Sequence, residues 1–137
     1  MTMSLNGASS KQGIEMNVLL LLTEAPTQPL AWHAFELAQQ LLQQGASLRV
    51  FFYQDAVLIA NALRWQPADE PSLAAAWRQL GLDLPVCVSA ALYRGITDAD
   101  NAARHALGSH NLAHGFRLTG LGELAEATLD ADRVVHL

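Results

Sequence analysis

Short unbroken apolar runs alternate with segments of helical period along this chain, a pattern that predicts strands and helices in turn. Asn17 to Thr23 (NVLLLLT) is continuous in apolar residues and closed off by Pro26 and Pro29, as expected of a strand buried on both faces of a parallel sheet. From Leu30 onward, Ala34, Leu37, Ala38, Leu41 and Leu42 recur at helical spacing. Glutamines fill the other positions, and Gly45 is placed to stop the helix. Ser47 to Tyr53 (SLRVFFY) supplies a second strand, and Asp55 is positioned to cap a helix running through Leu63.

Beyond it, Arg64 to Pro71 (RWQPADEP) reads as a surface loop, after which Ser72 caps a helix ending at Gly81. Leu84 to Val88 (LPVCV) is a third apolar run. The small residues Ser89, Ala90 and Ala91 then start a helical turn that Gly95 ends, and Thr97 or Asp98 caps a further helix to about Gly108. A loop with Asn111 and Gly115, a capped helix from Thr119 towards Leu129 and a last strand, Arg133 to Leu137 (RVVHL), complete the reading. No Asn-Gly or Asp-Gly hairpin dipeptide joins any two of these strands. The expected fold is therefore one doubly wound α/β domain, with a mainly parallel sheet of four or five strands and helices on both faces. In such sheets reactive groups collect beyond the carboxyl ends of the strands, above all where strand order reverses.

Composition narrows the chemistry. With 137 residues, 51% of them hydrophobic, the chain suits a single domain spanning 16–137. Met1 to Glu15 is polar, rich in Ser and Gly and without an apolar core, which marks it as a flexible leader or appended scar rather than a signal peptide. Val18 to Leu22 is too short to cross a bilayer, so a cytoplasmic setting without a membrane is expected. The only lysine is Lys11, in that leader, which removes Schiff-base and P-loop lysine chemistry from the body of the protein. A net charge of −5 leaves no basic stripe for direct nucleic-acid binding.

Cys87 is the only cysteine, which excludes a zinc ribbon, a Cys-x-x-Cys pair and an intrachain disulfide. It falls where the third strand hands over to a helix, so free amides at Ser89 to Leu92 and the cation of Arg94 are candidates to stabilise a thiolate. The competing reading is a buried strand cysteine that only packs. Any disulfide or sulfur exchange at Cys87 has to be intermolecular, because no resolving thiol exists in the chain. Of the five histidines, His33, following the first strand's loop, is placed to approach the same sheet edge, whereas spacing pairs neither it nor His136 with Cys87. His105, His110 and His114 cluster, but Gly108 and Gly115 bracket the last two and no His-Glu-x-x-His pattern occurs, so no metal is expected. Gly120 and Gly122 are half of a dinucleotide fingerprint without a clear strand before them, and no cofactor is expected. Glu123 and Glu126 read as the solvated face of a helix.

Three stretches in order, FFYQDAVLIAN (Phe51–Asn61), VCVSAALYRGI (Val86–Ile96) and GFRLTGLGELAEATLDADRVVHL (Gly115–Leu137), resemble the DsrE-like sulfur-relay family, most closely its TusD branch. The family's reactive cysteine matches Cys87. The resemblance implies a sulfurtransferase in which Cys87 takes sulfane sulfur as a persulfide from a TusA-like donor and passes it to a TusE-like carrier. It implies assembly with TusB-like and TusC-like subunits into a heterohexamer serving 2-thiouridine formation at the wobble base of transfer RNAs. Two alternatives stand beside it: a DsrE-like subunit of a sulfur-oxidation complex with DsrF-like and DsrH-like partners, and a non-catalytic interaction subunit. Thr23 to Ala34 (TEAPTQPLAWHA) has two prolines where relatives commonly carry a glycine-containing loop. If it borders the cysteine, it is expected to alter pocket shape or partner choice.

Overall fold

The first apolar run forms β1 (Asn17–Leu22), an interior strand of a five-stranded sheet. The computed structural model describes residues 16–137, and the segment read as a leader, 1–15, lies outside the described residues. Pro29 opens α1 (Pro29–Gln43), where its missing N–H costs no hydrogen bond, and Gly45 ends it at φ +86°, a conformation that favours glycine. Then follow β2 (Ser47–Phe52), a 3-10 helix (Gln54–Ala60) and α2 (Leu73–Gln79), where Ser72 Oγ accepts the Ala75 N–H at 3.2 Å. The remaining elements are β3 (Leu84–Cys87), α3 (Val88–Tyr93), α4 (Ala99–Arg104), β4 (Phe116–Thr119), α5 (Leu121–Asp130) and β5 (Arg133–His136).

All strand pairs are parallel, in the order β4-β3-β2-β1-β5. The chain steps outward from β1 to β4 and then returns across the sheet to the far side of β1. Right-handed crossovers place the connections between β1 and β4 on one face and α5 on the other. Side-chain alternation along the strands agrees with this. Phe52 of β2 and Phe116 of β4 face the α1 and α2 side, where Trp77 stacks edge-on against Phe35 and Phe52 at 5.5 Å. Arg49 and Arg117, one residue out of phase, meet Asp130 and Glu123 of α5 instead.

Three expectations need correction. The segment before Thr119 is a strand, β4, and the helix starts after Gly120; FRLT has four residues with an exposed Arg, so it lacks the apolar run of a central strand. Asp55 caps nothing: the 3-10 helix ends at Ala60, far short of Leu63, and the carboxylate turns to Arg94. Asp98, one of the two caps expected, accepts the Asn101 N–H at 2.9 Å, but the helix it opens stops at Arg104 instead of Gly108. Cys87 ends β3, the third strand, as expected, and strand order reverses between β1 and β5, two strands away. There Thr23 Oγ1 donates to the Leu137 carbonyl at 3.0 Å and lies 3.1 Å from His136 Nε2.

Candidate functional site

Cys87 is the last residue of β3 and occupies the capping position of α3, as the handover from apolar strand to small residues requires. All four residues of β3 are buried, Cys87 with 1% of its surface exposed. Its side chain is not spent on capping the helix. It pairs in register with Thr119, so it lies on the face of the sheet that carries α5. There Cys87 contributes to an open depression of about 300 Å³ together with Tyr53, Gln54, Ser89, Ala90, Tyr93, Arg94 and Leu121. The walls come from the residues immediately after β2, β3 and β4, which is where a parallel sheet gathers its loops.

Arg94 is in this depression, as its closeness in sequence suggested, but its charge is engaged. Its Nε donates to Asp55 Oδ1 at 3.0 Å and its Nη1 to the Ala90 carbonyl at 3.1 Å. The pair joins the 3-10 helix to α3 and stiffens two walls at once. Asn111 ties the loops behind them: its Nδ2 donates to Asn61 Oδ1 and to the Gly95 carbonyl, and its Oδ1 accepts the Thr97 N–H. Tyr93 is 94% exposed and Leu121 47% exposed. An aromatic and an apolar side chain thus stand at the rim, beside the exposed Gln54.

The α5 wall is clamped from below. Arg117 of β4 donates to both oxygens of Asp83, at 2.8 and 2.6 Å, and also to Glu123, whose Oε1 accepts from Thr119 Oγ1 at 3.0 Å. Glu123 is thus a clamp on the first turn of α5 and not the freely solvated carboxylate expected, while Glu126 is exposed as expected. Hydrogen bonds from Arg117 hold the Asp83 and Glu123 carboxyls below the usual carboxylate range, and bonds to Asp83 first and Glu123 second raise the Arg117 guanidinium. Depressed carboxylate pKa values stabilise the fold above the unfolded value near 4, and that stabilisation is lost as pH falls through the folded values. Side-chain exposure of 64% at Asp83 and 45% at Arg117 limits the effect to about 1 kcal/mol. Acid unfolding of the wild type below about pH 4 should therefore be steeper than that of Arg117→Met, measured by circular dichroism; equal slopes would contradict the clamp.

The histidines do not assemble around Cys87. His33, His105, His110, His114 and His136 are all exposed, and none lines the depression. Among the described residues no group of three His, Cys, Asp or Glu side chains could hold a metal ion. Gly120 does follow a strand, β4, contrary to the sequence reading. An added Cβ there or at Gly122 would meet nothing within 4 Å, so no close backbone approach within the chain demands these glycines. The proline-containing segment Thr23 to Ala34 contributes nothing to the depression, because it begins at the end of β1, two strands away, and from Pro29 is already α1. Sequence reasoning assigned no role to Tyr53, Gln54, Tyr93 or Leu121. Their shared signal is position: Tyr53 and Gln54 directly follow β2, and Leu121 comes two residues after β4.

The arrangement defines a class: a single α/β domain with an all-parallel sheet and a lone thiol at the carboxyl end of a strand, in a loop-walled depression. Its particular membership follows from comparison with known proteins. The model of the DsrE/DsrF-like family matches residues 16–137, and the chain belongs to that family. It is 50% identical over 108 residues to the sulfurtransferase TusD of Klebsiella pneumoniae (strain 342), covering 75% of this chain and 84% of that protein. The sulfurtransferase TusD of Serratia proteamaculans (strain 568) is equally similar over the same shares. The crystal structure of the ychN protein from E. coli shares the fold, with a TM-score of 0.64 at 20% identity over 90% of this chain and 100% of that one. Among the described residues no helix is long and apolar enough to cross a membrane.

Proposed function

We propose that this sulfurtransferase of the sulfur-relay type uses Cys87 as its persulfide-forming nucleophile. The observation that carries the reading is the place of Cys87 on an open depression beyond the carboxyl end of β3, in a chain half identical to TusD sulfurtransferases. The Cys87 thiolate attacks the outer sulfur of a donor persulfide. A new sulfur–sulfur bond forms at Cys87 Sγ, the donor's own sulfur–sulfur bond breaks, and the donor leaves as a thiolate. The acceptor's thiolate then attacks the outer sulfur on Cys87 and returns Cys87 to the thiolate, with no net oxidant or reductant in either step. No histidine base is needed for this exchange, in keeping with the absence of histidine from the lining.

The finer assignment is a TusA-like donor, a TusE-like acceptor, and a heterohexamer with TusB-like and TusC-like subunits, working in the cytoplasm towards 2-thiouridine in transfer RNA. The names of the relatives support it, as do the single unpaired thiol and the exposed Tyr93 and Leu121 at the rim. A net charge of −5 favours protein carriers over direct contact with RNA. The domain assigned to this activity is 16–137. Reconstitution with the four partner types and unmodified transfer RNA tests the assignment: wobble thiolation that stops when this chain is withheld supports it, and undiminished thiolation without the chain overturns it.

A further inference from the structure

Among the described residues, two other than glycine hold a positive φ, Ala106 at +57° and Gln54 at +50°. Ala106 follows the end of α4, where a left-handed residue commonly terminates a helix. Gln54 ends no helix. It leads from β2 into a 3-10 helix, in a conformation in which glycine or asparagine is more at ease than glutamine. Its exposed carboxamide makes no hydrogen bond with another described residue, whereas Arg94, on the same depression, is occupied by Asp55 and Ala90. Residues held in sparsely populated backbone regions cluster at active sites and ligand clamps.

We infer that Gln54 is a specificity-determining residue that binds the main chain of the incoming sulfur carrier at the mouth of the Cys87 depression. The inference rests on the reading of Cys87 as the sulfur acceptor. Cys87 is buried while Gln54 is exposed, so a carrier must send its sulfur-bearing side chain inward and leave its flanking peptide at the rim. A carboxamide presents a donor and an acceptor side by side, the complement of a peptide N–H and C=O in an extended segment. Gln54 carries that group on the depression that Tyr53 and Tyr93 also line, with a backbone in the left-handed region.

The test compares the full chain with Gln54→Gly, using two probes: a capped peptide bearing a cysteine persulfide, and mercaptoethanol persulfide, which has no peptide group. The glycine relieves the backbone, so the melting temperature should hold or rise. For the peptide probe the half-saturating concentration should rise about fivefold to tenfold, with the maximal loading rate unchanged. Loading from mercaptoethanol persulfide should not change. Wild-type loading from the peptide probe by the variant, or equal losses with both probes, would overturn the role of Gln54. A wild type that loads from neither probe, or a Cys87→Ser variant that loads from both, would instead overturn the reading of Cys87, and either result is visible before any Gln54 variant is compared.

Discussion

Trp77→Ala is expected to destabilise the domain by about 3–5 kcal/mol, the cost of removing a large aromatic from a closed core. Trp77 is fully buried and links α1 to β2 through edge-on contacts with Phe35 and Phe52, and Phe52 in turn packs against Phe116 of the edge strand β4. Alanine would empty the layer between α2 and the sheet, where the surrounding strands cannot collapse. Trp77→Phe should cost much less. Phenylalanine keeps most of the aromatic contact, and it deletes an indole Nε1 that is buried without a hydrogen-bond partner among the described residues, a group whose burial costs about 1–3 kcal/mol. Urea unfolding of the two variants separates these effects, and an alanine variant within about 1 kcal/mol of wild type would contradict the packing described.

Cys87→Ser is expected to fold and yet to relay no sulfur. Placing a hydroxyl at this buried position costs about 1–3 kcal/mol at most, because the sulfur holds no hydrogen bond that caps α3. A serine hydroxyl is not ionised near neutral pH and does not displace a thiolate from a persulfide, so transfer to an acceptor should fall to the uncatalysed background. The measurement is sulfur delivered to an acceptor thiol per unit time, with circular dichroism confirming that the variant is folded. If Cys87 only packs, the serine variant should be slightly less stable and fully active.

Much of this fold is legible in the residues, and the exceptions have physical causes. NVLLLLT and LPVCV read as strands because they are buried on both faces, SLRVFFY because its later half, Val50 to Phe52, is, and Gly45, Ser72 and Gly95 mark helix ends through conformations or bonds that few other residues supply. FRLT escaped because an edge strand of four residues with Arg117 exposed has no distinctive pattern. Asp55 was misread because a capping residue and an ion-pairing residue look alike until the partner, Arg94, is brought in from 39 positions away. Glu123 was misread in the same way, since Arg117 and Thr119 reach it from the strand before its helix. Cys87 could be placed at a strand end from its neighbours alone. Arg94 could be placed near it in the same way, but the other walls could not, because Tyr53, Gln54 and Leu121 converge on Cys87 only once the order β4-β3-β2 is known.

The most direct test of the central claim is intact-protein mass spectrometry of the wild type after exposure to a persulfide-loaded donor, followed by peptide mapping. The account predicts a gain of one sulfur atom, located on the peptide containing Cys87, removed by reductant and absent from Cys87→Ser. A wild-type protein that gains no sulfur, or that carries it on a peptide without Cys87, would contradict it.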